Sequence, residues 1–171
     1  IGGTDVDYKA QNGLFFKAGA NLVGSVESKN PVNPTRVNGI VDRLYVSGGW
    51  KMLHLDVGMK PRENELGDLS ISGGNILWSN NARNVPGING WSDWIYFEKG
   101  HWFGFKGNIG HYQMIDNRYV DGTMLHNKSL SLKLAAGRKV DVIYGVDHWA
   151  QWGGTSPREG AQPVSFIDFL R

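Results

Sequence analysis

Apolar and polar side chains alternate through most of this chain, and the alternation is clearest between Lys128 and Trp149. Leu130, Leu132 and Leu134 take turns with Ser129, Ser131 and Lys133. Beyond Gly137-Arg138-Lys139, Val140, Val142, Tyr144 and Val146 take turns with Asp141, Ile143, Gly145 and Asp147. A period of two places alternate residues on one sheet face, so this stretch predicts a β-hairpin with one apolar and one mostly polar face. Other segments repeat the plan. Leu14, Phe16, Ala18, Ala20, Leu22 and Val26 oppose Lys17, Asn21 and Ser25; Leu44 and Val46 oppose Arg43 and Tyr45. Leu53, Leu55, Val57 and Met59 oppose Met52, His54, Asp56 and Gly58; Phe103, Phe105 and Ile109 oppose Lys106 and Asn108. The pattern predicts seven strands, at 13–27, 40–47, 51–60, 91–98, 101–113, 128–136 and 140–150. Residues 1–12 read as a polar lead-in with turn signals at Gly2-Gly3 and Asn12-Gly13. A short strand is expected at 69–71 and one helical turn at 166–170.

The connections follow a rule. Long ones at 28–39, 61–90, 114–127 and 151–171 alternate with short turns at 48–50, 99–100 and 137–139. An up-and-down antiparallel meander with its long loops at one end gives this pattern, as outer-membrane barrels do. The strand lengths suit a tilted crossing of the hydrocarbon, which takes about 9–11 residues. The expected fold is therefore all-β: an antiparallel up-and-down meander forming an arc of a transmembrane outer-membrane β-barrel. Its apolar face would meet lipid. Its mixed face, with Lys17, Asn21, Arg43, His54, Asp56, Lys106, Asn108, Lys133 and Asp141, would meet a wet lumen. The same periodicity fits a soluble sandwich or lipocalin-like barrel with the faces inverted. Seven strands would leave open edges in lipid, where unpaired backbone is costly. That argues for an arc of a larger barrel, and the start at Ile1 agrees with an internal fragment.

Composition narrows the picture. Twenty-four Gly and 12% aromatic residues suit an all-β protein. Cys is absent, which removes disulfides, thiolate metal sites and a Cys nucleophile. A net charge of +2 without a Lys/Arg run gives no reason to expect nucleic acid as a partner. No stretch approaches the roughly 20 apolar residues of a membrane helix.

Three segments resemble a known family. Trp78-Ser79-Asn80-Asn81-Ala82-Arg83 followed by Pro86 is the first. Asp116-Asn117-Arg118-Tyr119-Val120 followed by Leu125-His126-Asn127-Lys128-Ser129-Leu130 is the second. His148-Trp149-Ala150-Gln151-Trp152-Gly153-Gly154-Thr155-Ser156-Pro157, continued by Ser165 to Leu170, is the third. Together they resemble the capsule assembly Wzi family, in its Bacteroides-type versions. The resemblance implies a large outer-membrane barrel that holds capsular polysaccharide at the cell surface, with no catalytic residue.

The residues themselves point to binding rather than catalysis. His54, His101, His111, His126 and His148 are scattered without metal-ligand spacing. No nucleophile elbow occurs. Glu63, Glu65 and Asp68 read as solvated loop charge, and Gly73-Gly74 lacks the Lys and helix of a phosphate loop. No cofactor is implied. The long loops carry Arg83, Asn117, Arg118, Tyr119 and Trp152, the groups that hold sugar hydroxyls, carboxylates and C–H faces. The expected partners are an acidic surface polysaccharide and outer-membrane lipid. The competing account of Trp78 to Arg83 is a loop tied down by its own hydrogen bonds. Trp50, Trp91, Trp94, Trp102 and Trp149 fit an interfacial girdle. A porin-like channel with a polar lumen is the other function class, and it differs in what fills the lumen.

Overall fold

The computed structural model describes residues 2–27, 36–61, 83–97, 101–115, 118–136 and 140–165. Nine strands form one sheet: β1 (Gly2–Lys9), β2 (Leu14–Glu27), β3 (Arg36–Trp50), β4 (Leu53–Met59), β5 (Gly87–Ser92), β6 (Ile95–Tyr96), β7 (Phe103–Gln113), β8 (Met124–Ala136) and β9 (Val140–Trp152). Two short strands, β10 (Thr155–Ser156) and β11 (Gly160–Ala161), make a separate hairpin. Neighbours pair antiparallel in the order β1-β2-β3-β4-β5-β7-β8-β9, with β6 beside β7. β1 and β9 are the two edges of an open, up-and-down sheet. Connections 10–13, 51–52, 93–102 and 137–139 therefore share one end. Connections 28–35, 60–86, 114–123 and the segment after β9 share the other.

Register turns the alternation into two continuous faces. One row across eight strands reads Asp7, Lys17, Ser47, Asp56, Asn89, Gly110, Asn127, Trp149. The next row reads Tyr8, Phe16, Gly48, Leu55, Gly90, Ile109, Lys128, His148. All nine positions expected on the mixed face share the polar face. Burial is inverted relative to a water-soluble core. Ser47 is 1% exposed, Asn127 2% and Asp56 8%, whereas Leu53, Leu55, Leu130 and Tyr144 are 51–69% exposed. Among the described residues the buried hydrophobics are Tyr45, Met59 and Tyr112.

Aromatic rings seated against glycines shape the polar face. A Cβ on Gly19 would stand 2.5 Å from the Tyr45 ring, and one on Gly104 would stand 2.8 Å from the Tyr96 ring. A Cβ on Gly49 would collide with the Phe15 ring. Phe15 folds across Gly49 to reach His54, with ring centroids 5.0 Å apart. Gly48 and Gly49 are thus strand residues, a correction to the expected turn at 48–50. The turn is Lys51-Met52, with Lys51 in the left-handed region at φ 55°.

Several boundaries differ from the sequence expectation. Residues 2–9 are a strand rather than a polar lead-in. Asp5 and Asp7 have low strand propensity, but they reach Arg43 (3.3 Å) and Lys17 (3.6 Å) on the polar face. With β1, the paired path has eight strands rather than seven. β3 starts at Arg36, inside the expected loop 28–39, and a bulge lies where Asn21 faces Arg43 and Leu22 faces Val41. β5 starts at Gly87, inside the expected loop 61–90. The expected strand 91–98 is broken at Asp93-Trp94, and β6 continues the line of β5. There the Ser92 hydroxyl accepts the Gly107 N–H at 3.1 Å. β8 starts at Met124 and β9 runs to Trp152, so loops 114–127 and 151–171 are shorter than expected, and the latter holds β10 and β11. The expected strand at 69–71, helical turn at 166–170 and turns at 99–100 and 137–139 lie outside the described residues.

Candidate functional site

The polar face carries an open cleft of about 770 Å³, within the roughly 300–1,000 Å³ range of small-molecule sites. Lys60, Asn89, Trp91, Trp94, Lys106 and Asn108 are among the residues lining it. Its hub is Asp56. Oδ1 accepts from Ser47 Oγ at 2.6 Å and Lys60 Nζ at 2.7 Å, and Oδ2 accepts from Trp91 Nε1 at 2.8 Å. A carboxylate so buried needs such donors, since an unpaired buried charge is strongly unfavourable. Lys60 also sits 5.8 Å from the Tyr45 ring and 5.6 Å from the Trp91 ring, within cation–π range.

Beside the hub, His54 stacks on Trp91 at 3.8 Å with an interplanar angle of 7°. Its Nε2 lies 2.9 Å from Asp93 Oδ2. Trp94 lies under Lys106 at 5.4 Å and Lys133 at 5.9 Å. Lys133 pairs with Asp141 at 2.7 Å. Asn108 Nδ2 donates to Asn89 Oδ1. Further along, Asn127 Nδ2 and Trp149 Nε1 both donate to Asp147, at 2.6 and 2.9 Å. Charges on this face are thus largely matched across neighbouring strands. The arrangement suits hydrogen bonding to a hydroxylated molecule in the cleft, while Asp56, with both oxygens engaged, acts as a tie.

The sequence-derived binding candidates lie elsewhere. Arg83 is exposed, just before β5. Next to it, Asn84 Nδ2 donates to the Asp42 carbonyl at 2.8 Å; Trp78 to Ala82, of the segment expected to tie itself down, lie outside the described residues. Arg118 and Tyr119 are exposed on the 114–123 connection, with Tyr119 66% accessible. That connection is pinned by Thr123 Oγ1, which donates to the Val120 carbonyl at 2.9 Å, and by the Asp121–Thr155 bridge. The structure thus places Arg83 and Arg118–Tyr119 at the same end, on either side of β7. Trp152 ends β9 on the apolar face, with its ring edge-on to His111 at 5.5 Å. Asn117, with Asn80 and Asn81, lies outside the described residues.

Asp56, Lys60 and the Trp91–His54 stack were not singled out as a site from the sequence. The available signal was register: Trp91 faces His54 once β5 is paired with β4. Trp91, Trp94 and Trp149 belong to the polar side, which corrects the girdle expectation for these three; Trp50, 53% exposed, remains on the apolar face. No protein-family model, curated protein or solved structure matches this chain.

Proposed function

We propose that this chain is part of the wall of an outer-membrane β-barrel that holds acidic capsular polysaccharide at the cell surface, without catalysing a reaction on it. One observation carries the membrane part: a sheet face lined by Leu, Val, Ile and aromatic residues lies exposed, while Asn21, Ser47, Asp56 and Asn127 on the opposite, polar face are buried. An apolar surface of this extent calls for a non-aqueous or protein partner. Spanning strands with long loops at one end suit a bilayer. The polysaccharide part rests on the resemblance to the Wzi family and on Arg83, Arg118 and Tyr119 exposed at the long-loop end. There a guanidinium would pair with a uronate-like carboxylate, and the phenol ring would cover a sugar C–H face. The porin-like reading draws on the open cleft of the polar face. The matched Lys–Asp pairs give that wall little charge selectivity.

The test uses cells making the full-length protein with Arg118→Ala and Tyr119→Ala combined. Barrel assembly should be unaffected, and capsule should appear in the medium instead of on the cells. Normal surface capsule would remove these two residues from the site. Gene deletion that leaves capsule attached but lowers solute uptake would replace attachment with the channel reading.

A further inference from the structure

The apolar face breaks its own rule at one place. Across the eight paired strands, no described position on this face carries Asp, Glu or Arg. Its basic residues are His111, His126, Lys128 and His148, and all four fall together on β7, β8 and β9. Lys128 stands directly opposite His148, and His111 directly opposite His126. The His111 and His126 rings are 6.4 Å apart. His148 is exposed, Lys128 and His111 are half-buried, and His126 is buried at 1%. Below them towards the short-turn end, the same face is apolar: Leu130, Leu132 and Leu134 opposite Val146, Tyr144 and Val142.

We propose that Lys128, His148 and His111 form a seat for the phosphate of a lipid headgroup at the long-loop rim of the apolar face. The proposal rests on the barrel reading above. From Lys128 to its end at Ala136, β8 rises about 27 Å at about 3.4 Å per residue. At a strand tilt of about 40° this is about 21 Å of depth, close to the ~25 Å apolar band of such barrels. Lys128 therefore stands where hydrocarbon gives way to headgroups. A Lys ammonium supplies the charge, and imidazole N–H groups donate hydrogen bonds to the phosphate oxygens. Free phosphate presents the same chemistry. The position on a lipid-facing surface, with Trp152 beside His111 at 5.5 Å, selects the lipid source.

The full-length protein is folded into phosphatidylcholine vesicles containing either bisphosphorylated lipid A or its dephosphorylated form. Lipid retained after extraction into zwitterionic detergent is measured by mass spectrometry. The wild type should retain the phosphorylated form by about fivefold or more, the effect of roughly one cation at a charged surface. The double variant Lys128→Gln, His148→Gln should bring the two forms to parity, and Lys128→Arg should keep the preference. If the double variant does not fold, His148→Gln alone, at an exposed position, should lower the ratio. Insertion of the wild type without preference overturns the seat and leaves the barrel reading standing, as does a preference unchanged in the variants. Failure of the wild type to insert into either vesicle overturns both. Inorganic phosphate binding as tightly as the phosphorylated lipid overturns the assignment to lipid.

Discussion

Replacing Asp56 by Ala tests how the polar face is held together. The substitution removes one acceptor shared by three donors at 2.6, 2.7 and 2.8 Å. Ser47, 1% exposed, cannot turn its hydroxyl to solvent in place, which costs about 1 kcal/mol. The Trp91 N–H loses a charged acceptor, worth about 1.5 kcal/mol. Lys60 loses its partner, but its side chain is 20% exposed and partly escapes to water, so its share is held to about 1 kcal/mol. The sum is about 3–4 kcal/mol of destabilisation. Asp56→Asn keeps one oxygen and should cost about half. Lys60→Met should cost less than Asp56→Ala, because Asp56 would keep two donors. Urea unfolding in detergent micelles, followed by tryptophan fluorescence, reads all three. An Asp56→Ala midpoint within about 1 kcal/mol of wild type, or a Lys60→Met loss exceeding it, would refute the hub.

Three further outcomes are expected. Gly19→Ala should destabilise by about 1–3 kcal/mol, since its Cβ would collide with Asp5 Oδ1 and stand 2.5 Å from the Tyr45 ring. Gly39→Ala, with nothing within 4 Å, should be near neutral in the same unfolding assay. Leu132→Arg, set between Phe105 and Tyr144 on the apolar face, should cost about 2–4 kcal/mol in lipid if it lies near the midplane. Ser131→Arg, on the cleft side, should be mild, and equal tolerance at the two positions would reverse the face assignment. On whole cells, Tyr119→Cys should react with an impermeant thiol reagent and Lys51→Cys should not; the opposite labelling would invert the topology.

Alternation alone was enough for the all-β class, the antiparallel up-and-down order and the faces of the strands it marked, but not for Trp91, Trp94 and Trp149. Side-chain alternation is a local property, and residues such as Leu130 to Leu134 report it without knowing their partners. It also determined which connections are long, hence which share an end. Register and contacts between strands were decided only in the tertiary structure. β1 was illegible because Asp5 and Asp7 disfavour a strand until Arg43 and Lys17 stand across from them. Gly48-Gly49 reads as a turn until Phe15 is seen to lie across Gly49. The Asp56 hub joins β3, β4 and β5 with Lys60, and no spacing within one strand announces it. The clustering of His111, His126, Lys128 and His148 likewise exists only once β7, β8 and β9 are aligned. A period of two assigns each residue to a face; which residues meet on that face depends on pairing between strands far apart in the chain.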